Sequence, residues 1–384
     1  LATMAKGPAG LLLPAAAAFF FVMASGRWRD LTRMEVIAGL LLFCVAALPW
    51  VVAMYARHGQ TFIDKLLFDH MVKRAFGHMH DTNDGDDLSF RYYVWQLGYA
   101  AFPWTGLVPI ALVRWARDSR HIGVVLGAWF LVGFALFAWM GTKFHHYCLP
   151  ILPPAAMLTG VLLDDFMRRS DGPLLGAPLL GAVAVGAALC TLLIGRDLTG
   201  ADLGPLRLLH LFTYNYDRPW PSNLHFTTEL WVFTIAAAVL MLLLMVERLR
   251  RRMAIGLVAL SLSFAVWGLD VFLVKLSPHW GQRELFIAYE RERMAQPGQL
   301  IAYIMNWKGE NFYRGNRVPA FVSTGHRFQR WIDDQKKKGD KTFYFVLQHT
   351  RVTTLAAELG EPAIEKLTDE ALNNKFVLVR VRFP

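Results

Sequence analysis

The chain has 384 residues, of which 55% are hydrophobic and only 18% charged, and its formal net charge is +10. That balance excludes an ordinary water-soluble enzyme and marks an integral membrane protein. The positive charge lies largely in short links between apolar runs, so it reports orientation in a bilayer and implies no nucleic-acid partner.

The sequence opens Leu1-Ala2-Thr3 with no initiator methionine and no basic leader ahead of the first apolar run, so it reads as a piece that starts within a longer protein. Cys44, Cys148 and Cys190 each lie inside an apolar run. They form no disulfide framework and serve as small buried hydrophobes. Apolar runs near the ~20 residues a helix needs to cross a bilayer fall at about 7–24, 35–55, 92–113, 122–140, 147–163, 174–195, 229–246 and 254–274. The expected fold is an all-α polytopic membrane bundle of about eight transmembrane helices over residues 1–275, followed by a small soluble α/β domain over 276–384.

Orientation follows from where the basic residues crowd. The links 25–33, 114–121, 164–173 and 247–253 carry 12 Lys and Arg in 34 positions, and the alternate links 56–91, 141–147 and 196–228 carry 9 in 76. The first set is expected to face the cytoplasm and the second the outer side. The C-terminal domain is then extracytoplasmic, periplasmic in a bacterium, and the protein resides in the inner (plasma) membrane.

In the long link 56–91, Phe62, Leu66, Leu67, His70 and Met71 recur at spacings of three and four, which predicts a helix lying on the membrane surface. Beyond it, His78, His80, Asp81 and Asp84 lack a fixed ligand spacing, and a solvated loop is the better reading of them than a metal site. Tyr92, Tyr93, Trp95 and Trp104 fit an interfacial aromatic belt.

Gly141-Thr142-Lys143-Phe144-His145-His146-Tyr147-Cys148-Leu149-Pro150 sets a group of polar side chains between two apolar runs. Lys143 then stands at the mouth of a helix pair, where it either snorkels to the interface or meets an anion. With His145, His146 and Tyr147 beside it, the second reading is a phosphate pocket, since all four can donate hydrogen bonds. Asp270, inside the last apolar run, is either functional or paired locally with Lys275.

After Ser277-Pro278 the composition changes. Helices are predicted at 283–296, 328–338 and 352–359 and strands at 300–305, 342–347 and 376–381, an alternation that implies an α/β layer. Residues 306–316, rich in Gly and Asn, follow the first strand and read equally as a ligand loop or as a plain turn.

Ala2-Thr3-Met4-Ala5-Lys6-Gly7-Pro8, Leu48-Pro49-Trp50, Asp69-His70-Met71-Val72-Lys73-Arg74-Ala75-Phe76, Phe90-Arg91-Tyr92-Tyr93, Phe102-Pro103-Trp104-Thr105, and Gly141-Thr142-Lys143 with Tyr147 and Leu149-Pro150 stand in a telling order. That order resembles the GT-C membrane glycosyltransferases that include the lipid A aminoarabinose transferase and, more remotely, the protein O-mannosyltransferases. The resemblance covers about 1–165 well and the rest loosely. It implies transfer of a sugar, with inversion, from a polyprenyl-phosphate donor to a lipid, glycan or protein acceptor at the outer membrane face. It places Lys143 and Tyr147 at the carrier phosphate, on one side of a helix if the span starts that early. Arg74, His145 and Lys6 become further substrate-binding groups, and His70 helps to hold a divalent metal cation. The family's catalytic acid lies in a first outer loop that would precede Leu1, so no catalytic residue is assigned here and the chain alone is expected to be inactive. A lipid-linked saccharide polymerase or ligase, a transporter and a non-catalytic membrane protein are the alternatives; sparse intramembrane charge counts against the transporter.

Overall fold

The computed structural model describes residues 9–33, 35–73, 89–116, 121–168, 177–200, 204–210, 212, 219–244, 246–305, 309–323, 325–360 and 362–383. The chain divides into two compact units, Leu1–Tyr216 with Thr227–Phe264, and Asp217–Phe226 with Ala265–Pro384.

The first unit is helical: α1 (Ala9–Ser25), α2 (Val36–His58), α3 (Arg91–Ala100), α4 (Leu107–Trp115), α5 (His121–Trp139), α6 (Leu152–Arg168), α7 (Ala177–Leu198), α8 (Thr227–Leu243) and α9 (Arg250–Trp267). Here α1 packs on α5, α4 on α6 and α7 on α8. Leu107, Leu126, Leu162, Ala187, Met241 and Leu257 interlock in one core, and Tyr93, Val108, Phe130, Cys148 and Ile151 in another. Lipid-side residues of α2 such as Ile37, Leu42 and Val45 are exposed, as expected for a helix whose solvent is hydrocarbon. The protein is a multi-pass membrane protein.

Eight spans are not confirmed. Among the described residues five helical stretches are long and apolar enough to cross a bilayer: Val36–His58, Ile122–Trp139, His145–Met167, Gly181–Leu198 and Arg250–Trp280. Gly10–Ser25 and Thr227–Leu243 are apolar but shorter. The run 92–113 is not one helix, because α3 and α4 are parted by a turn at 101–106. Pro103 has no N–H to continue the ladder and disfavours helical backbone at the residue before it. Thr105 Oγ1 donates to the Gly98 carbonyl at 2.7 Å, satisfying one acceptor at the break. Gly106 permits the close approach of α7, since a Cβ there would meet the Ala187 carbonyl oxygen at 2.1 Å. Between α2 and α3 the predicted surface helix is present as Gln60–Ile63 running into a π-helical stretch, Asp64–Val72.

The second unit carries α10 (Arg283–Ala295), β1 (Gln299–Tyr303), α11 (Gly309–Tyr313), β2 (Ala320–Phe321), α12 (His326–Lys337), β3 (Thr342–Gln348), α13 (Val352–Glu358), β4 (Ala363–Lys366) and β5 (Phe376–Arg382). The sheet runs β2-β1-β3-β5-β4. β1 is parallel to β2 and β3, whereas β5 is antiparallel to β3 and β4. Phe343, Tyr344, Phe345, Val346 and Leu347 are all buried, so β3 reads as a continuous apolar run because both of its faces are covered. The segment 309–316 forms α11 and a turn in which Gly315 and Asn316 take left-handed backbone, with φ of 56° and 61°. Asn373 ties the sheet to the chain entering this unit: its Nδ2 donates to the carbonyls of Pro278 and Gly281, each at 2.8 Å.

Candidate functional site

The turn between α5 and α6 carries most of the candidate residues. Phe144 is extended, and His145–Ile151 then winds as a 3-10 helix containing Pro150, which ends in α6. Lys143 therefore precedes the helix that holds Tyr147, and the two do not share one helical face as the four-residue spacing allowed. Lys143 is 1% exposed. Its Nζ donates to the Ala138 carbonyl at 2.6 Å and the Met140 carbonyl at 3.0 Å, and lies 5.5 Å from the centre of the Tyr93 ring. A buried ammonium is thus placed on the C-terminal carbonyls of α5, where the helix dipole is negative and those carbonyls have no partner within the helix. Tyr147 packs its ring against Phe137, Phe144 and His146.

Beside this turn runs a string of polar side chains that sequence reasoning assigned to an aromatic belt or did not single out. Tyr92 and Gln96 stand one helical turn apart on α3, and so on one face. The Tyr92 hydroxyl and His145 Nδ1 share a 2.7 Å hydrogen bond. His210 Nδ1 donates to Gln96 Oε1 at 3.0 Å. The rings of His145 and His210 stack with centres 3.9 Å apart and planes 15° from parallel. His210 follows the 3-10 turn Pro205–Leu209 in the link after α7. Burial, then the adjacent His145 imidazole and the Arg207 guanidinium, push His210 down to about 2, so its ring is neutral. Next to it Tyr99 donates to Asp197 Oδ2 at 3.2 Å, and the Arg207 guanidinium lies 5.3 Å from the Tyr99 ring centre while donating to the Asp197 carbonyl. The signal available in the sequence was the spacing Tyr92, Gln96, Tyr99, a polar stripe at helical intervals.

The remaining candidates fall elsewhere in the chain or outside the described residues. His70 lies in the π-helical stretch Asp64–Val72. Lys6, Arg74 and the group His78, His80, Asp81 and Asp84 lie outside the described residues. Among the described residues no three His, Cys, Asp or Glu side chains come together as a metal ion requires, so no chemistry is derived through a metal. Asp270 is exposed, and Lys275 places its Nζ 5.9 Å from the Phe226 ring centre rather than in an ion pair with it.

No family model matches the chain. In sequence it is 32% identical over 174 residues to the undecaprenyl phosphate-alpha-4-amino-4-deoxy-L-arabinose arabinosyl transferase of Pseudomonas paraeruginosa, covering 44% of this chain and 30% of that protein. A second enzyme of that name, from Pseudomonas fluorescens, is 29% identical over 174 residues, covering 45% of this chain and 31% of its own length. The chain is similar to the lipid A aminoarabinose transferases. The resemblance carried by its ordered motifs is borne out. In fold, the crystal structure of ArnT from Cupriavidus metallidurans bound to undecaprenyl phosphate covers 97% of this chain with a TM-score of 0.58 and 18% identity. That match takes in 65% of the ArnT chain, and the sequence matches span about a third of the length of the relatives.

Proposed function

We propose that this chain is the greater part of a glycosyltransferase that takes a sugar from a polyprenyl-phosphate donor and places it, with inversion, on an envelope lipid or glycan at the outer face of the inner membrane. The observation that carries the reading is the joint likeness: 32% identity to an arabinosyl transferase over 174 residues, together with an ArnT fold over 97% of the chain. The relatives' names supply the donor class, and the density of basic residues in alternate links supports the outer orientation of the turn at 141–147.

In this reaction the bond between the sugar carbon and the carrier phosphate breaks as an acceptor oxygen attacks from the opposite face. Negative charge grows on the departing phosphate, and a fixed cation in a low-dielectric site lowers that barrier. Lys143 is that cation in our reading, with Tyr147 as a neutral donor and Arg74, His145 and Lys6 completing the substrate contacts. A buried lysine held at two carbonyls needs no reorganisation when the charge appears. The resemblance also implies a divalent cation that His70 would help to hold.

The test is retention of undecaprenyl phosphate by the purified chain in native mass spectrometry, followed by transfer of aminoarabinose to lipid A by the complete protein. Selective retention over phosphatidylglycerol is expected. Equal retention of both lipids would overturn the donor assignment.

A further inference from the structure

Two imidazoles from distant parts of the chain, His145 and His210, meet face to face beside the turn at 141–151, and His210 has no part in the chemistry just described. We infer that His210 is a positioning residue for the carrier-phosphate site: with Tyr92 and Gln96 of α3 it clamps the ring of His145, and through it the turn that carries Lys143 and Tyr147. The inference rests on the proposed function for the identity of the ligand, and on geometry for the clamp.

The geometry is as follows. α3 presents Tyr92 and Gln96 on one face, and each grips a different imidazole, His145 at 2.7 Å and His210 at 3.0 Å. The imidazoles stack at 3.9 Å, so the four side chains form a line, Tyr92–His145–His210–Gln96, with both ends anchored on α3. His145 lies two residues from Lys143 and two from Tyr147, and the Cys148 thiol donates to the His145 carbonyl at 3.0 Å. Tyr93, the neighbour of Tyr92, reaches the Phe144 carbonyl at 3.4 Å and has its ring under the Lys143 ammonium. One turn of α3 thus touches the 141–151 segment at Lys143, Phe144 and His145. His210 closes the set from the other side, in a link that is itself fixed by Arg207 on Tyr99 and Asp197. A 3-10 segment with a proline inside it has few hydrogen bonds of its own, so its placement depends on such side-chain contacts. Misplacement of a binding group by ~1 Å costs up to a hundredfold.

The clamp separates ring stacking from hydrogen bonding. His210→Phe keeps an aromatic plane on His145 and loses the bond to Gln96, whereas His210→Ala loses both. Two readouts are needed on the full chain: amide hydrogen exchange over 141–151, and the dissociation constant for undecaprenyl phosphate from native mass spectrometry. We expect His210→Ala to accelerate exchange in that turn and to weaken lipid retention by about tenfold, with His210→Phe recovering part of both because the stack survives and the bond to Gln96 does not. Unchanged exchange in His210→Ala would overturn the clamp. Faster exchange with unchanged lipid affinity would overturn its positioning role. A wild-type chain that fails to prefer undecaprenyl phosphate, while its turn still loosens in His210→Ala, would refute the ligand assignment and leave the clamp standing. Loss of folding in His210→Ala is checked by gel filtration, and the comparison then passes to His210→Phe against Gln96→Leu, both of which break the same hydrogen bond and should weaken retention alike; wild-type retention in both would overturn the role.

Discussion

Replacing Lys143 by methionine separates two duties that the structure gives one side chain. Its ammonium donates to the carbonyls of Ala138 and Met140 and is almost wholly buried, so it caps α5. Hydrogen bonds from a charged donor contribute about 1.5–3 kcal/mol each, and part of that is recovered as the carbonyls find other partners. A net loss of roughly 3 kcal/mol is the expected cost in stability, seen as a lower unfolding midpoint in detergent. If the same charge also meets the departing phosphate, losing it removes another contact of similar size, which corresponds to roughly ten- to a hundredfold in the transfer rate at low donor concentration.

The assay is single-turnover transfer from a polyprenyl-phosphate sugar by the complete protein, scaled to the folded fraction. Lys143→Arg is the control, since it keeps the charge and presents further donors to the same carbonyls. Lys143→Met should lose both stability and rate, and Lys143→Arg should recover much of each. A wild-type rate per folded molecule in Lys143→Met would refute the phosphate role and leave Lys143 as a cap alone. An unchanged unfolding midpoint would refute the cap.

His70→Ala in the complete protein should lower the transfer rate while membrane insertion is preserved; full turnover at saturating donor would remove His70 from the site. Cysteine at Arg248 should be shielded from an impermeant thiol reagent added outside intact cells and cysteine at Ser323 labelled, the reverse pattern inverting the orientation. Asn373→Ala should lower the unfolding midpoint by on the order of 10 °C, since fully buried Asn373 holds the Pro278 and Gly281 carbonyls and accepts from the Lys375 and Phe376 amides at 3.1 and 2.8 Å; an unaltered midpoint would contradict that assignment. His210 is held neutral when folded, with His145, Arg207, Tyr99 and Gln96 around it, so the unfolded chain takes up its proton first as pH falls below the ordinary imidazole value of about 6.5. The stability is present above that pH and is lost below it, and the fall in midpoint between pH 6.5 and 5 should be smaller in His210→Phe than in wild type; equal falls would show that another group is responsible.

What could be read from residues alone follows the range of the forces involved. Apolar runs report their own burial, so the helices around 36–58, 122–139 and 181–198 and the strands at 299–303, 342–348 and 376–382 fall close to their expected places. Pro103 was in view, but hydropathy averaged over a window carried the run 92–113 straight through it. The short β2 and the exposed, polar β4 have no such signature, because pairing with β1 and β5 makes them strands and their composition does not.

The turn at 141–151 shows the same limit more sharply. Lys143 and Tyr147 stand out in the sequence because unusual residue types lie next to one another in the chain. The meaning of Lys143's burial depends on where the last turn of α5 stops, and a one-residue change there would aim different carbonyls at its ammonium. His210 carries no local signal: it is one histidine in a leucine-rich 3-10 turn, and only the fold brings it onto His145. Two imidazoles at 3.9 Å in a buried site are unfavourable if both are charged and cohesive if both are neutral. The pairing therefore needs α3 to supply a hydrogen-bond partner to each ring, and the spacing of Tyr92 and Gln96 does so. That makes α3, which ends before Pro103 and is too brief to cross a membrane, the element from which the geometry of the turn at 141–151 is set.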